Sequence, residues 1–194
     1  LHYPLRRQRQ MCIRDRCSGG YMQVYLSTLT EVDYTQTLEK IEQSYTENPK
    51  KGKAKRALVA RLRQSPSYQY ELEVIAKDEA AVVVGHVMLS KINIVAQDAK
   101  YPALELASLS VDPEVRGQGI GKALVNAVEE RARAENFNTI IVSGAPDYFE
   151  QLGYEKAEIY DIYSDESTLE QLQVKFLWDQ LTDYPLSLIH ISEP

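Results

Sequence analysis

Between Leu104 and Tyr154 the chain reads as a strand (LELASLSV), a glycine-rich turn (RGQGIG), a helix (KALVNAVEERARAE), a second strand (NTIIVSG) and the segment PDYFEQLGY. A strand that runs into a glycine turn and opens a helix gathers bare backbone N–H groups and the positive end of the helix dipole at one point. That arrangement holds phosphate. The helix has a clean apolar face, with Ile120, Ala123, Leu124, Ala127 and Val128 at helical spacing. The rest of the chain is arranged around this stretch.

The spacing of the glycines decides which phosphate ligand is meant. A P-loop needs G-x-x-x-x-G-K-S/T. Gly121 and Lys122 match its tail, but Ala123 stands where the magnesium-binding hydroxyl belongs and Arg116 where the first glycine belongs. The dinucleotide pattern G-x-G-x-x-G also fails. Counted from Gly117 its last position is Lys122, and counted from Gly119 it is Leu124. Nucleotide binding of either kind is thereby set aside.

The first half of the chain reads β-α-α-β-β-β. Residues 22–27 form a β-prone run. Tyr34, Leu38, Ile41 and Tyr45 mark an amphipathic helix with Asp33 placed to cap it. ENPKKG reads as a loop, and Ala54, Ala57, Leu58 and Leu62 mark a second helix that ends at Ser65-Pro66. Tyr70, Leu72, Val74 and Ala76 alternate with Glu71 and Glu73, as in a half-buried strand. A long apolar strand from Ala81 to Val95 and another from Ala103 to Val111 follow, joined by a loop at QDAKYP. After the central helix come a strand at 139–143, a short helix at 147–152, a strand from Tyr154 to Tyr163, a turn at SDEST and a last strand in LQVKFLW. The expectation is one α+β domain with a mixed, mostly antiparallel sheet of six to seven strands and helices on both faces.

The two ends are out of character. LHYPLRRQRQMCIRDRC has no helical or strand period, and PLSLIHISEP is equally foreign to the rest. Both read as adapter-derived translation, so residues 1–21 and 185–194 are expected to be non-native tails and 22–184 the domain, starting at Met22. The whole chain has a formal net charge of −6. Without Arg6, Arg7, Arg9, Arg14, Arg16, Asp15 and Glu193, 17 basic residues face 26 acidic ones, a net of −9. That balance argues against a nucleic-acid partner. Both cysteines, Cys12 and Cys17, go with the first tail. No disulfide framework is then at hand, and a reducing cytoplasm is the default. No apolar run approaches the ~18 residues of a membrane helix.

Arg116-Gly117-Gln118-Gly119-Ile120-Gly121 resembles the coenzyme A pyrophosphate loop of the GNAT superfamily of acyl-CoA N-acyltransferases. The lead-in LSVDPEV and the follow-on GKALVNAVEERA match as well, and PDYFEQLGY looks like the family's FYxKxGF segment. ALVARLRQSPSYQYELEVIA and VVVGHVMLSKI look like the YhbS-type subgroup. The resemblance covers Met22 to Leu177. It implies a sheet splayed between the fourth and fifth strands, 103–111 and 139–143. It also implies that Leu109, Ser110 and Val111 offer their backbone to the pantetheine arm. Gly117, Gln118, Gly119, Ile120, Gly121 and Lys122 would hold the pyrophosphate with Arg116 adding charge, and Phe149 would pack against the arm.

Amide formation from a thioester needs a neutral amine, whereas an alkyl ammonium has a pKa of about 10.4. A base must therefore take a proton. Glu105 is the candidate. It is the only charged residue between Tyr101 and Asp112, and by alternation it shares a face with Ala103, Ala107, Leu109 and Val111. Some family members carry a catalytic glutamate eleven residues before the loop's first residue, and Glu105 lies eleven before Arg116. The bland alternative is an edge glutamate paired with a lysine. The acid is less plain. Phe149 stands where the family has a tyrosine, Tyr148 precedes it and Tyr154 replaces the final Phe. Either Tyr148 turns in as proton donor, or it is a core aromatic and the thiolate leaves without an acid.

His86 is the one histidine of 22–184. It reads as a structural strand residue, with acceptor-pocket lining as the alternative; no cluster gives it a metal role. Seven basic residues fall between Lys50 and Arg63, read as a solvated face or as attraction for coenzyme phosphates or an acidic acceptor. The chain is thus expected to be a cytoplasmic N-acetyltransferase with acetyl-CoA as co-substrate and no metal. It would transfer the acetyl group directly to a primary amine of a small molecule or peptide in a ternary complex. With no cysteine in 22–184, no thiol is offered for an acyl-enzyme. A homodimer is left open. The competing expectation is a non-catalytic acyl-CoA-binding or sensing module on the same fold.

Overall fold

The computed structural model describes residues 9–14, 21–96, 99–164, 172–178 and 189–192, with side chains from 23 to 178 within those ranges. Among the described residues ten strands form one sheet: β1 (Arg9–Arg14), β2 (Tyr21–Thr28), β3 (Glu73–Lys77), β4 (Val83–Ala96), β5 (Ala99–Val111), β6 (Thr139–Ser143), β7 (Glu155–Lys156), β8 (Ile162–Tyr163), β9 (Leu172–Phe176) and β10 (Ile189–Ser192). The helices are α1 (Tyr34–Gln43), α2 (Pro49–Arg63), α3 (Ile120–Ala134) and α4 (Pro146–Glu150). The strand order is β1-β2-β3-β4-β5-β6-β9-β7, with β10 beside β4 and β8. Two contacts are parallel, β5 with β6 and β8 with β10. The expected mixed, mostly antiparallel α+β sheet with helices on both faces is what the structure has.

β5 and β6 pair only at Leu104 with Ile140 and Glu105 with Ile141. Beyond Glu105 they part. β6 stays in the sheet because β9 pairs along its whole length, from Thr139–Phe176 to Ser143–Leu172. The splay is therefore a cleft with a closed end at Glu105 and an open mouth toward Val111 and the glycine turn.

α3 covers one face. Its Ile120, Leu124, Val125, Val128 and Ala132 are buried against Val74, Ala76, Val87, Leu89, Leu104, Ile140 and Val142. α1 and α2 cover the other, where Ile41 and Val59 pack on Met88 and Ala107. Further along that face Ile92, Ile94, Ala103, Ile141 and Val174 lie with Ala157 and Ile162.

One irregularity changes how the central strand is read. Leu89 pairs with Leu106 and Met88 with Ser108, so Ala107 is an extra residue. A bulge shifts the alternation of everything after it. Leu109 and Val111 pack with the α3 cluster, while Ala107 lies in the α1/α2 cluster. The expected common face of Glu105 with Leu109 and Val111 is thereby corrected. Glu105 pairs with Ser90, on the α1/α2 side.

Other local expectations differ in instructive ways. α2 begins at Pro49, inside the expected ENPKKG loop, because Asn48 Oδ1 accepts from Lys51 N at 3.1 Å and Pro49 occupies the first helical turn. Asp33 precedes α1 but does not cap it with its side chain. Its carboxylate instead takes Thr30 Oγ1 and Lys77 Nζ, both at 2.6 Å. The strand drawn through 70–76 starts with a 3-10 turn, Tyr70–Leu72. Strand 154–163 is broken into β7, a 3-10 turn at Ala157–Tyr160 and β8, with Asp161 at φ +54°. The SDEST turn lies outside the described residues from Asp165 onward.

β1 and β10 fall in the stretches expected to be foreign tails. β1 has no strand period, and sheet pairing does not require one: it adds its backbone to the open edge of β2. β10 adds to β4 at Asn93–Val95. β3 reaches only Met88 on that same side of β4. Residues 89–92 therefore have no strand partner there among the described residues.

Candidate functional site

α3 starts at Ile120 behind Gly119, which has φ +86° and gives no side-chain cap. The first-turn amides are thus left for something else to satisfy. Gly117 has φ +74°, and nothing lies within 4 Å of where a Cβ would stand on either glycine. The backbone of the turn faces an open cavity of about 440 Å³. Of the residues expected to hold a coenzyme, Leu109, Ser110, Val111, Arg116, Gly117, Gly119, Ile120, Gly121 and Lys122 line it. Gln118 and Phe149 do not. Gln118 Oε1 is instead buried without a hydrogen-bond partner among the described residues.

Ser44 and Tyr45, at the end of α1, form the opposite wall. No motif in the chain marks them for this position. Two ties hold that helix end to the glycine turn. Lys40 Nζ meets Asp112 Oδ2 at 2.7 Å. Arg116 donates from Nη2 to the Ser44 carbonyl and from Nε to the Val111 carbonyl at 3.1 Å. The Arg116 guanidinium thus braces the cavity wall that it also lines. Burial raises the Tyr45 phenol, with the Arg116 charge opposing.

The aromatic segment divides differently from expectation. Phe149 is core. It is 5% exposed and meets Tyr148 and Tyr154 edge-on, with centroids 5.2 and 5.4 Å away. Tyr148 is the one that lines the cavity. Its hydroxyl lies 2.6 Å from the point a Cβ on Gly121 would occupy, so Gly121 makes room for it. Burial raises the Tyr148 phenol, which keeps its proton at neutral pH. The final Tyr154 spends its extra hydroxyl on Glu129 Oε1 of α3 at 3.1 Å. Lys175 Nζ closes the group at 2.8 Å from Glu129 Oε2.

Glu105 stands apart from Tyr148. It lines a second cavity of about 190 Å³, together with Arg61, Ser65, Ser67, Ser90 and Lys91. Lys55 is close enough for its ammonium to feel the Glu105 charge. Burial lowers the Lys55 pKa and Glu105 opposes that. Lys55 Nζ also donates to the carbonyl of Ala107 at 2.7 Å. The basic run of α2 is therefore no uniform solvated face. Arg56 pairs with Glu42 at 2.7 Å, Lys51 stands over the Tyr45 ring, and Arg63 is buried with Glu73.

Glu73 departs furthest from the alternating pattern. Alternation puts it toward solvent, yet it is fully buried. Its carboxylate takes Arg63 Nη2 at 2.7 Å, Tyr68 Oη at 2.6 Å and His86 Nε2 at 2.8 Å. Burial pushes this carboxyl up; the hydrogen bond from His86 and the hydrogen bonds and charge of Arg63 more than reverse that, to about 2. Burial lowers the His86 pKa, so a neutral imidazole donates its Nε2 proton. His86 is thus a structural residue outside either cavity. Among the described residues no group of three or more His, Cys, Asp and Glu could hold a metal ion. No described helix is long and apolar enough to cross a membrane.

Three E. coli relatives, from strains K12, O6:H1 and O157:H7, are each called uncharacterized N-acetyltransferase YhbS. Each is 26% identical over 91 residues, 47% of this chain and 53% of its own. The chain thus spans about half the length of the curated relatives it matches. Among solved structures, E. coli YhbS in complex with CoA aligns with a TM-score of 0.74 at 21% identity, over 98% of this chain and 94% of that one. A GNAT family acetyltransferase from Brucella melitensis, in complex with acetyl-CoA, gives 0.66 at 17%, over 86% and 94%. A putative arylalkylamine N-acetyltransferase 7 from the mosquito Aedes aegypti gives 0.63 at 13%, over 90% and 97%. At such identities these structures share the fold. The acetyltransferase (GNAT) family model matches residues 35–154, well over half of the chain, and the chain belongs to that family.

Proposed function

We propose that this protein is an acyl-CoA-dependent N-acyltransferase that moves an acetyl group from acetyl-CoA to a primary amine. The observation that carries the reading is the uncapped start of α3 behind Gly117 and Gly119, open to a cavity that the splayed strand β5 also lines. The turn's amides and the helix dipole suit a pyrophosphate. The stretch of β5 that β6 leaves unpaired, from Leu106 to Val111, suits an extended arm lying in the cleft between the two strands. Acetyl-CoA supplies an activated acyl group, and it fits these residues without a metal. No cysteine falls in 22–184, and a cytoplasmic setting is part of the reading.

The net reaction consumes one ammonium and one thioester and gives one amide, one thiol and one proton. A C–N bond forms, a C–S bond breaks, and the protein has to receive a proton from the ammonium. Glu105 is the proposed base, at the closed end of the cleft. Tyr148 keeps a donatable proton in the coenzyme cavity and is the proposed hydrogen-bond donor there.

The test is thiol release from acetyl-CoA with a panel of amines, alongside calorimetric titration of coenzyme A and ATP. Amine-dependent release, with coenzyme A binding that ATP does not displace, is the expected result. The separation of Glu105 from Tyr148 favours the second reading, a non-catalytic acyl-CoA sensor. Coenzyme A binding without turnover on any amine would select it.

A further inference from the structure

The cavity at Glu105 has a composition of its own. It sits beside residues 89–92 of β4, the stretch left without a strand partner between β3 and β10. Two cationic residues line it, Arg61 from the last turn of α2 and Lys91 from β4. No ion pair joins either to a carboxylate among the described residues. Among the described residues Glu105 is its one acidic lining residue, with Ser90 directly across from it on β4. Ser65 and Ser67 close one side, their hydroxyls 2.8 Å apart. Lys55, whose charge reaches Glu105, adds to the positive surroundings.

Charge and size then select among amines. A polyamine would bring several ammonium groups against Arg61, Lys91 and Lys55. A plain monoamine would leave the Arg61 guanidinium unused. A molecule with one amine and one carboxylate matches both signs. A guanidinium grips a carboxylate through two parallel hydrogen bonds. A cavity of about 190 Å³ holds a molecule the size of an amino acid, not a folded segment. We propose that this cavity is the acceptor site, and that the acceptor is a small primary amine bearing a carboxylate, with Arg61 on the carboxylate, Lys91 at the rim and Glu105 toward the amine. This rests on the acyltransferase reading.

The experiment compares matched pairs in the thiol-release assay: phenylalanine with phenethylamine, and lysine, leucine and methionine with the amines left when the α-carboxylate is removed. The expected result is a KM about tenfold lower for the carboxylate-bearing member of at least one pair, a difference of about 1.4 kcal/mol. Arg61→Gln should raise that KM about tenfold or more while the KM for acetyl-CoA stays unchanged, and Arg61→Lys should recover part of the loss. Turnover with equal KM across every pair, or an Arg61→Gln enzyme with unaltered acceptor KM, overturns the proposal and leaves the acyltransferase reading standing. Should no amine turn over, the same amino acids are titrated by calorimetry into protein saturated with coenzyme A. Binding that Arg61→Gln weakens about tenfold keeps the site and removes the catalytic reading. No binding of any amino acid overturns the site.

Discussion

Lys55 of α2 reaches across to β5 and donates from Nζ to the carbonyl of Ala107, 2.7 Å away. Ala107 is the residue that the bulge inserts. The bond therefore pins the irregular point of the strand to the helix layer above it. It also sets a cation near Glu105.

Replacing Lys55 by Met keeps the length of the side chain and removes the donor. A half-buried carbonyl then loses a charged partner, which costs about 1–2 kcal/mol. Denaturant unfolding should show that loss. Turnover should fall about tenfold with the KM for acetyl-CoA unchanged, because the glycine turn does not touch Lys55. A variant as stable and as fast as the parent would dissociate the bulge from Lys55.

Glu105→Gln removes the proposed base and keeps the shape. Loss of general-base catalysis is worth about 10²-fold or more in kcat. The defect should be largest at low pH, where the amine is protonated, and should shrink as pH approaches the amine's own pKa. Acetyl-CoA affinity should not change. A kcat equal to the parent's across pH takes Glu105 out of the mechanism.

Gly121→Ala would set a methyl 2.6 Å from the Tyr148 hydroxyl. The ring sits at the end of a partly exposed side chain, so folding should survive and the ring should move. We expect the KM for acetyl-CoA to rise about tenfold with little change in stability. Tyr148→Phe removes the clashing oxygen, so the double variant should lose less than the two single effects added together. Strict additivity would mean that the two residues do not meet.

What the sequence makes legible depends on range. The glycine turn and α3 are local features, and five apolar positions at helical spacing are enough to mark the buried face. The splay and the two-sided helix cover come through the family resemblance. Glu73 is misplaced by its pattern because its partners, Arg63, Tyr68 and His86, lie outside its own strand, and a lone glutamate in an alternating strand looks like a solvent face. The bulge at Ala107 leaves no local mark, since alanine suits either register. Ser44 and Tyr45 reach the cavity only through the packing of α1. Phe149 faces the core and Tyr148 the cavity, which the sequence leaves open because adjacent aromatics on a short helix differ only in which way the helix is turned.

The Glu73 cluster predicts acid lability with a definite sign. His86 is held neutral, below its unfolded pKa of about 6.5, so the unfolded chain binds a proton that the folded one refuses. Stability should fall as pH drops below that value, by up to about 1.4 kcal/mol per pH unit. Glu73 is depressed to about 2 from 4.5, so its contribution holds above pH 4.5 and is lost between 4.5 and 2. His86→Gln keeps a donor for Glu73 and cannot titrate. Unfolding free energies measured from pH 7 to 5 should lose most of their slope in that variant. An unchanged slope would place its source elsewhere.

The extra residue in β5 makes the strand's length a matter of odd and even. Deleting Ala107 would remove the bulge and leave a regular ladder, with Leu106 still opposite Leu89 and Ser108 still opposite Met88. Leu109 and Val111 would keep the α3 side, and what the strand would lose is the carbonyl that Lys55 holds. In the proposed reaction coenzyme and acceptor approach from different sides of one strand, and the extra alanine is what lets Glu105 and Leu109, four residues apart, face opposite sides.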